Sequence, residues 1–402
     1  MSQKQENLIV VLDVGSAYTR VLAADLNEGA LRYRTHAVVE SAGMRKGLIA
    51  ELGPAARAVK AAFDRAEQSV RVNIDECTVG VGGANIMGVN TTAGLNFGTR
   101  MREISKDDVS IAVERARGVT LPHDREILHL LTRQFVLDDQ PGIHDPVGMV
   151  GSRLEVDLHM STCSASVQQS IVTCANRAGL EVSDTVFEAL ASAEATLTAD
   201  ERELGVCVLD IGAHSTELIV YFEGAVAHTG SIPFGGQHFT NDLAVVLQIP
   251  VAQAEQLKLR YGHAVVTAVP QLDEIEIRTP HPTMIRHRMV AEILEPRARE
   301  LFDMVRRSLR DGGVLGALGE GCVLTGGGAT LPGLLDVTES ILHCPARIGQ
   351  PVQLSRMPGE LTHPSYSTLV GMLLYAHRKR VTRTAENNSL RAKLRAIFAA
   401  SL

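Results

Sequence analysis

LIVVLDVGSAYTR (8–20) and GVCVLDIGAHSTE (205–217) share one form: an apolar run, Leu-Asp, an apolar residue, Gly, then small or hydroxylated residues. An apolar run that stops at Asp-x-Gly and resumes a few residues later is the pattern of two strands joined by a tight turn. Each turn offers backbone N–H groups and hydroxyls, Ser16 in the first and Ser215 or Thr216 in the second, the equipment of an anion-binding nest. One such turn is commonplace, because turns are rich in Asp, Gly and Ser. Two in matching halves of a chain point to an internal duplication with both loops facing one phosphate group. Asp13 and Asp210 then meet across the phosphates, where paired carboxylates can hold a hydrated Mg²⁺.

A third element, GCVLTGGGATLPGL (321–334), places Gly326, Gly327 and Gly328 after an apolar strand and before a helix. Consecutive glycines let a backbone approach a flat ligand closely, and a helix start supplies free N–H groups. At 402 residues the chain is long for a single core, so a cleft between two domains is expected. There is no GxxxxGK[ST] sequence, no GxSxG elbow and no HExxH helix, which sets aside P-loop enzymes, nucleophile-elbow hydrolases and zincins. The six cysteines are scattered without a CxxC pair and read as buried thiols in a reducing compartment. MSQKQEN at the start carries no apolar leader, and no run reaches the ~18 apolar residues of a spanning helix, so a cytoplasmic protein is expected.

Between these motifs the periodicity predicts a mixed α/β chain. Pro54 opens a helix with Val59, Ala62, Phe63 and Ala66 on its apolar face. Between Ala84 and Ser166 a small module of its own is expected. It has a helix capped by Ser105 with Asp108 three residues on, and strands at Glu126 to Leu137 and Arg153 to His159. Helices follow at Ser164 to Ala178, around Phe239, at Val251 to Tyr261, from about Met289 to Arg310 and at Tyr366 to Tyr375; residues 270 to 288 read as a polar stretch.

Taken together, these residues resemble the actin, Hsp70 and sugar-kinase group and, within it, the FtsA family of bacterial cell-division proteins. The group's phosphate loops match Asp13 to Arg20 and Asp210 to Thr216, with Gly15, Ser16, Gly212 and Ser215 inside them, and its adenosine motif matches Gly326 to Gly328. More selective for FtsA are GMVGSRLEVDLH (148–159), ILEPRAREL (293–301) and the amphipathic end. The resemblance spans nearly the whole chain. It implies an α/β fold of actin-like, ribonuclease H-like duplicated domains around a nucleotide cleft, with an FtsA-type inserted subdomain. On that plan residues 1–84, 166–196 and 360–380 form the first actin-like subdomain and 85–165 the insert. Residues 197–236 with 316–359 form the second actin-like subdomain and 237–315 its companion, while 381–389 are a linker and 390–402 a membrane-targeting helix.

The same likeness implies ATP and Mg²⁺ as cofactors. Arg20 stands where relatives often carry Lys, which keeps a charge near the phosphates in a different geometry. Glu255 and Lys258, in AEQLKLRYG, resemble the family pair near ribose and base, and Glu188, in FEALASAEA, falls where Hsp70-like relatives position the attacking water. Ala189 replaces the usual Pro there, so any hydrolysis is expected to be slow or regulatory. Implied partners are the C-terminal tail of the tubulin-like FtsZ, other copies of the chain in a polymer, further division proteins and the inner face of the cytoplasmic membrane. For the FtsZ tail, Arg297 is the closest match, with Arg286 and Arg288 beside it.

The formal charge of -7 conceals an asymmetry, because residues 378–402 carry seven basic side chains and one acid, a segment of +6 that leaves -13 for the rest. An acidic body is a poor general nucleic-acid binder, and a basic end suits an anionic membrane. Leu390, Leu394, Ile397 and Phe398 recur at i, i+4, i+7 and i+8, with Arg391, Lys393 and Arg395 on other faces, the pattern of a helix lying in a membrane interface. A metabolic kinase or a pilus-assembly scaffold on the same fold would not require that end.

Overall fold

The computed structural model describes residues 8–382 apart from 28, 71, 100 and 279–281. Its first half is a five-stranded sheet whose order is Glu181–Phe187, Glu76–Val81, Leu8–Val14, Tyr18–Asn27 and Ala30–Glu40. The central strand pairs antiparallel with the next in sequence and parallel with Glu76–Val81. In the second half the order Ala346–Ile348, Gly321–Thr325, Val206–Ile211, Thr216–Phe222 and Ala225–Ile232 repeats this plan, again with three antiparallel strands in succession and parallel neighbours on the far side. The duplication seen in the two Asp-Gly sequences is therefore a duplication of sheet topology.

The apolar runs that announced the hairpins become their core. Val11, Leu12, Val21 and Leu22 in one half, and Val208, Leu209, Leu218 and Ile219 in the other, are fully buried. At about 25 cal/mol per Å² of apolar surface removed from water, such runs are the main force closing each half. Helix Leu52–Val70 covers the first sheet with Val59, Ala62, Phe63 and Ala66, and helix His287–Asp311 covers the second with Leu294, Leu301, Phe302 and Val305.

The insert has its own apolar cluster, built from Ile104 and Ala112 on one side and Leu154, Val156 and Leu158 on the other. Helix Lys106–Arg117 begins in the expected capping box, Ser105 with Asp108. The insert is not free-standing, however. Strand Met87–Asn96 touches Ala225–Ile232 through the single pair Gly230 and Met87, so its sheet extends the second half's into nine strands. Side chains carry the rest of that joint: His159 Nδ1 lies 2.6 Å from Asn90 Oδ1 and His159 Nε2 2.8 Å from Thr229 Oγ1, while Asn90 Nδ2 donates to Ala227 O at 3.1 Å.

Three expectations change. The polar stretch at 270–288 contains a hairpin, Glu274–Arg278 against Pro282–Arg286, whose Ile275 and Ile277 are buried. The helix after the triple glycine starts at Leu334, beyond a 3-10 turn at Gly327–Thr330, so its N-terminus does not adjoin the glycines. The last described helix runs over residues 367–382, past Tyr375 and through the start of the expected linker. Arg378 there bonds Glu194 at 2.9 Å and Lys379 bonds Asp184, so these basic residues hold the helix to the body.

Candidate functional site

The two hairpin turns face a shared cavity of about 630 Å³. Asp13, Gly15, Ser16 and Arg20 line it from the first half, Asp210, Gly212 and Ser215 from the second, and Gly326 to Gly328 close one wall. Glu255, Lys258 and Glu188 also line it. Nearly every residue the sequence assigned to nucleotide or metal is thus brought into one space of ligand-binding size.

Thr216 is the exception. It is fully buried and its hydroxyl donates to Phe234 O at 2.8 Å, so Ser215 and not Thr216 presents a hydroxyl to the cavity. The reason is strand alternation, since successive side chains point to opposite faces. Gly212 also departs from expectation in part: its N–H closes the turn on Ser215 O at 2.9 Å and serves the loop, not a ligand.

Each Asp is held differently. Arg20 Nη1 lies 3.3 Å from Asp13 Oδ2, and burial raises the Asp13 carboxyl above its ordinary range while Arg20 opposes the rise. Asp210 Oδ2 accepts from Ser192 Oγ at 2.5 Å and from Thr368 Oγ1 at 2.8 Å. Ser192 sits on helix Glu188–Thr196 and Thr368 on the helix of residues 367–382, both packed in the first half's core, so Asp210 is fixed from across the cleft. Burial raises its carboxyl, and those two hydroxyls work against it.

Gly326 has φ +83°, and a Cβ there would stand 2.3 Å from Asp210 Oδ1 and 2.6 Å from Ile211 O. Only glycine lets that backbone lie against the second hairpin. The Lys258 ammonium, also in the cavity lining, is fixed by Gly236 O at 3.0 Å, Thr240 Oγ1 at 2.8 Å and Glu255 Oε2 at 2.8 Å. Glu188 heads its helix beside Glu217, which ends the second hairpin sequence and for which no role is expected from sequence. Burial and the neighbouring acids push both carboxyls well above their usual range.

The arginines matched to a partner peptide lie elsewhere. Arg297 forks onto Asp242, with Nε 2.5 Å from Oδ2 and Nη2 2.8 Å from Oδ1, and Nη1 donates to Glu300 at 2.6 Å. It ties helix His287–Asp311 to helix Gly236–Leu247 and is no longer an uncommitted cation. Arg288 sits 3.5 Å from Glu292 one turn on, and Arg286 is exposed. Arg297→Ala is therefore expected to lower stability by about 1 kcal/mol, the value of a charge-assisted pair discounted for its partial exposure, measured by urea unfolding. Leu390, Arg391, Lys393, Leu394, Arg395, Ile397 and Phe398 lie outside the described residues.

Two half-domains of one design, each delivering an Asp-Gly hairpin to a common cleft, define an actin-like α/β protein. Solved structures agree on the fold. The PilM-PilN type IV pilus biogenesis complex aligns with a TM-score of 0.64 at 16% identity, covering 91% of this chain and 98% of that one. MreB5 of Spiroplasma citri bound to ADP aligns at 0.57 and 16%, covering 95% and 99%. Residues 207–371 match the family described as "Cell division protein FtsA", and 83–162 match "SHS2 domain inserted in FTSA". Cell division protein FtsA of Pseudomonas aeruginosa is 35% identical over 382 residues, 94% of this chain and 91% of that protein. That of Borreliella burgdorferi is 33% identical over 405 residues, 98% of each. The chain belongs to the FtsA family of cell-division proteins, and the metabolic-kinase and pilus-scaffold readings fall away.

Proposed function

We propose that this protein is an ATP-binding, polymer-forming adaptor of cell division that tethers FtsZ filaments to the cytoplasmic face of the membrane. The observation that supports it best is the cleft, where two phosphate-loop hairpins, the Gly326 to Gly328 wall and the Glu255–Lys258 pair surround a cavity suited to a nucleotide. An acid-rich floor beneath an anionic ligand calls for a divalent cation, and the residues fit one. Asp13 and Asp210 would hold Mg²⁺ through water, since no three His, Cys, Asp or Glu side chains among the described residues form a closed ligand set. Bound there, the ion would offset phosphate charge. Glu188 is the candidate to orient water, with Asp13 and Asp210 for neighbours, and slow turnover is what a regulatory ATPase would show.

Residues 237–315 carry the FtsZ-tail contact in this reading, with the exposed Arg286 now the more accessible of the three arginines. The amphipathic end supplies the membrane contact. Four large apolar side chains contribute at most roughly 1.5 to 3 kcal/mol each, and each basic neighbour about 1 kcal/mol on anionic lipid. Ordering a short helix offsets much of that, so one copy binds reversibly and a polymer binds firmly. Among the described residues no helix is long and apolar enough to cross a membrane.

The test is sedimentation with anionic liposomes, comparing the full chain with one ending at Asn388, each with and without Mg-ATP. Pelleting of the full chain, increased by Mg-ATP and lost on truncation, is expected. Pelleting of neither would remove the membrane role, and pelleting of both alike would remove it from the C-terminal end.

A further inference from the structure

Two neighbouring strands of the first sheet part at one end. Leu8–Val14 and Glu76–Val81 pair only at Val11 with Thr78 and Leu12 with Val79, although the same register carried back would set Leu8 to Val10 beside Asp75 to Cys77. Between those strand starts lies a second cavity of about 440 Å³, lined also by Ile74 and by Ala376, Lys379 and Arg380 of the last described helix. Strand starts that do not pair with each other, with apolar side chains beside them, are a surface that a further segment can cover.

The rim is acidic and short of cations. Glu76 stands in register with Glu181 of the next strand, both are exposed, and neither joins a cation among the described residues. Like charges directly opposite on adjacent strands repel. Lys379, in the lining, is already bonded to Asp184. An occupant bringing apolar side chains and positive charge together would meet both needs.

We propose that this gap seats the chain's own C-terminal segment, Leu390 to Phe398, and withholds it from the membrane until an anionic surface competes for it. Leu390, Leu394, Ile397 and Phe398 supply the apolar face and Arg391, Lys393 and Arg395 the charge. Reach allows it. Lys379 and Arg380 line the gap within one turn of Thr382, where the described helix ends, and residues 383–389 extend to about 25 Å at most. MSQKQEN, which adjoins the gap at Leu8, has Met1 as its one apolar residue and does not suit it. A short tether keeps the segment at high effective concentration, so weak docking suffices. The membrane reading enters only for where the segment goes on leaving; the docking stands without lipid.

Hydrogen exchange read by mass spectrometry, without lipid, compares the full chain with one ending at Asn388 and one lacking residues 1–7. Removing the tail should speed exchange of the amides at residues 8–10 and 75–77 at least about 10-fold, and removing residues 1–7 should not. Protection should not depend on protein concentration, since one chain supplies both parts. Equal exchange in the full and tail-less chains overturns the proposal. So does protection lost only with residues 1–7, or protection that grows with concentration, which would assign the gap to a second copy's tail. Glu76→Gln with Glu181→Gln, at two exposed positions, gives a second readout. The freed segment should bind anionic liposomes about 3- to 10-fold more tightly than in the unaltered chain, and a chain ending at Asn388 should gain nothing from the same changes. Unchanged liposome affinity would overturn the withholding. If no form pellets with liposomes, the membrane reading fails while the exchange result stands by itself.

Discussion

Gly326→Ala should reduce nucleotide affinity by at least about 100-fold, or roughly 2.7 kcal/mol, and lower Tm as well. Two penalties coincide at this residue. Its φ of +83° is left-handed backbone that an L side chain adopts only under strain, and the new methyl group would meet Asp210 Oδ1 at 2.3 Å and Ile211 N at 2.8 Å. Neither neighbour can yield cheaply. Asp210 is held by Ser192 and Thr368, and Ile211 is strand backbone paired with Thr216. Relief must come from moving the glycine wall away from the second hairpin turn, which opens the cavity between them. Gly313→Ala is the control, because Gly313 also has a left-handed φ, +69°, while a Cβ there meets nothing within 4 Å and it does not line the cavity. Calorimetric titration of both variants with Mg-ATP decides it. Equal affinity for Gly326→Ala and the unaltered chain would mean that this wall does not touch the ligand.

How far such a site can be read from sequence depends on whether its signals are local. The hairpins were legible because apolar run, Asp-x-Gly and resumed run all fall within thirteen residues, and strand pairing inside a hairpin follows from the turn. Asp13 faces Arg20 seven residues on, and counting seven from Asp210 reaches Glu217. Ser192, Thr368 and Gly82 carry no comparable mark. They reach the site only because helix Glu188–Thr196, the helix of residues 367–382 and the loop after Glu76–Val81 pack where they do. EIEIR (274–278) was a readable strand by alternation, obscured by its charged residues. For Arg297 the residue type was informative and its intramolecular partner was not, since Asp242 lies on another helix and no local pattern announces the fork between them.

Acid should loosen the joint between the insert and the two halves before it touches the paired surface carboxylates. His129 is 8% exposed, and its Nε2 accepts the Phe187 N–H at 2.9 Å, so the ring must be neutral at that nitrogen. Burial pushes it down to about 4, helped by Lys379 and Arg378 and opposed by Asp184. His159, at the seam with Thr229, is pushed to about 3 by burial, with His228 and Arg133 adding to the effect. Because both folded values lie below the unfolded value near 6.5, the unfolded chain binds more protons in this window. Their contribution is complete above about pH 6.5 and is lost as pH falls towards 4, about 2 kcal/mol from each at pH 5. The cleft acids run the other way. Asp13, Glu188, Asp210 and Glu217 have raised folded values and stabilise as pH falls, so the net slope of the unaltered chain mixes both signs. The difference from a His129→Gln, His159→Gln double variant isolates the histidines, since glutamine can hydrogen-bond without titrating. Thermal unfolding from pH 8 to pH 5 should show the double variant, less stable at pH 8, losing far less of its Tm than the unaltered chain. Parallel curves would mean that the two imidazoles already reach solvent, and that the seam at Thr229 and the Phe187 bond open without needing a buried charge to drive them.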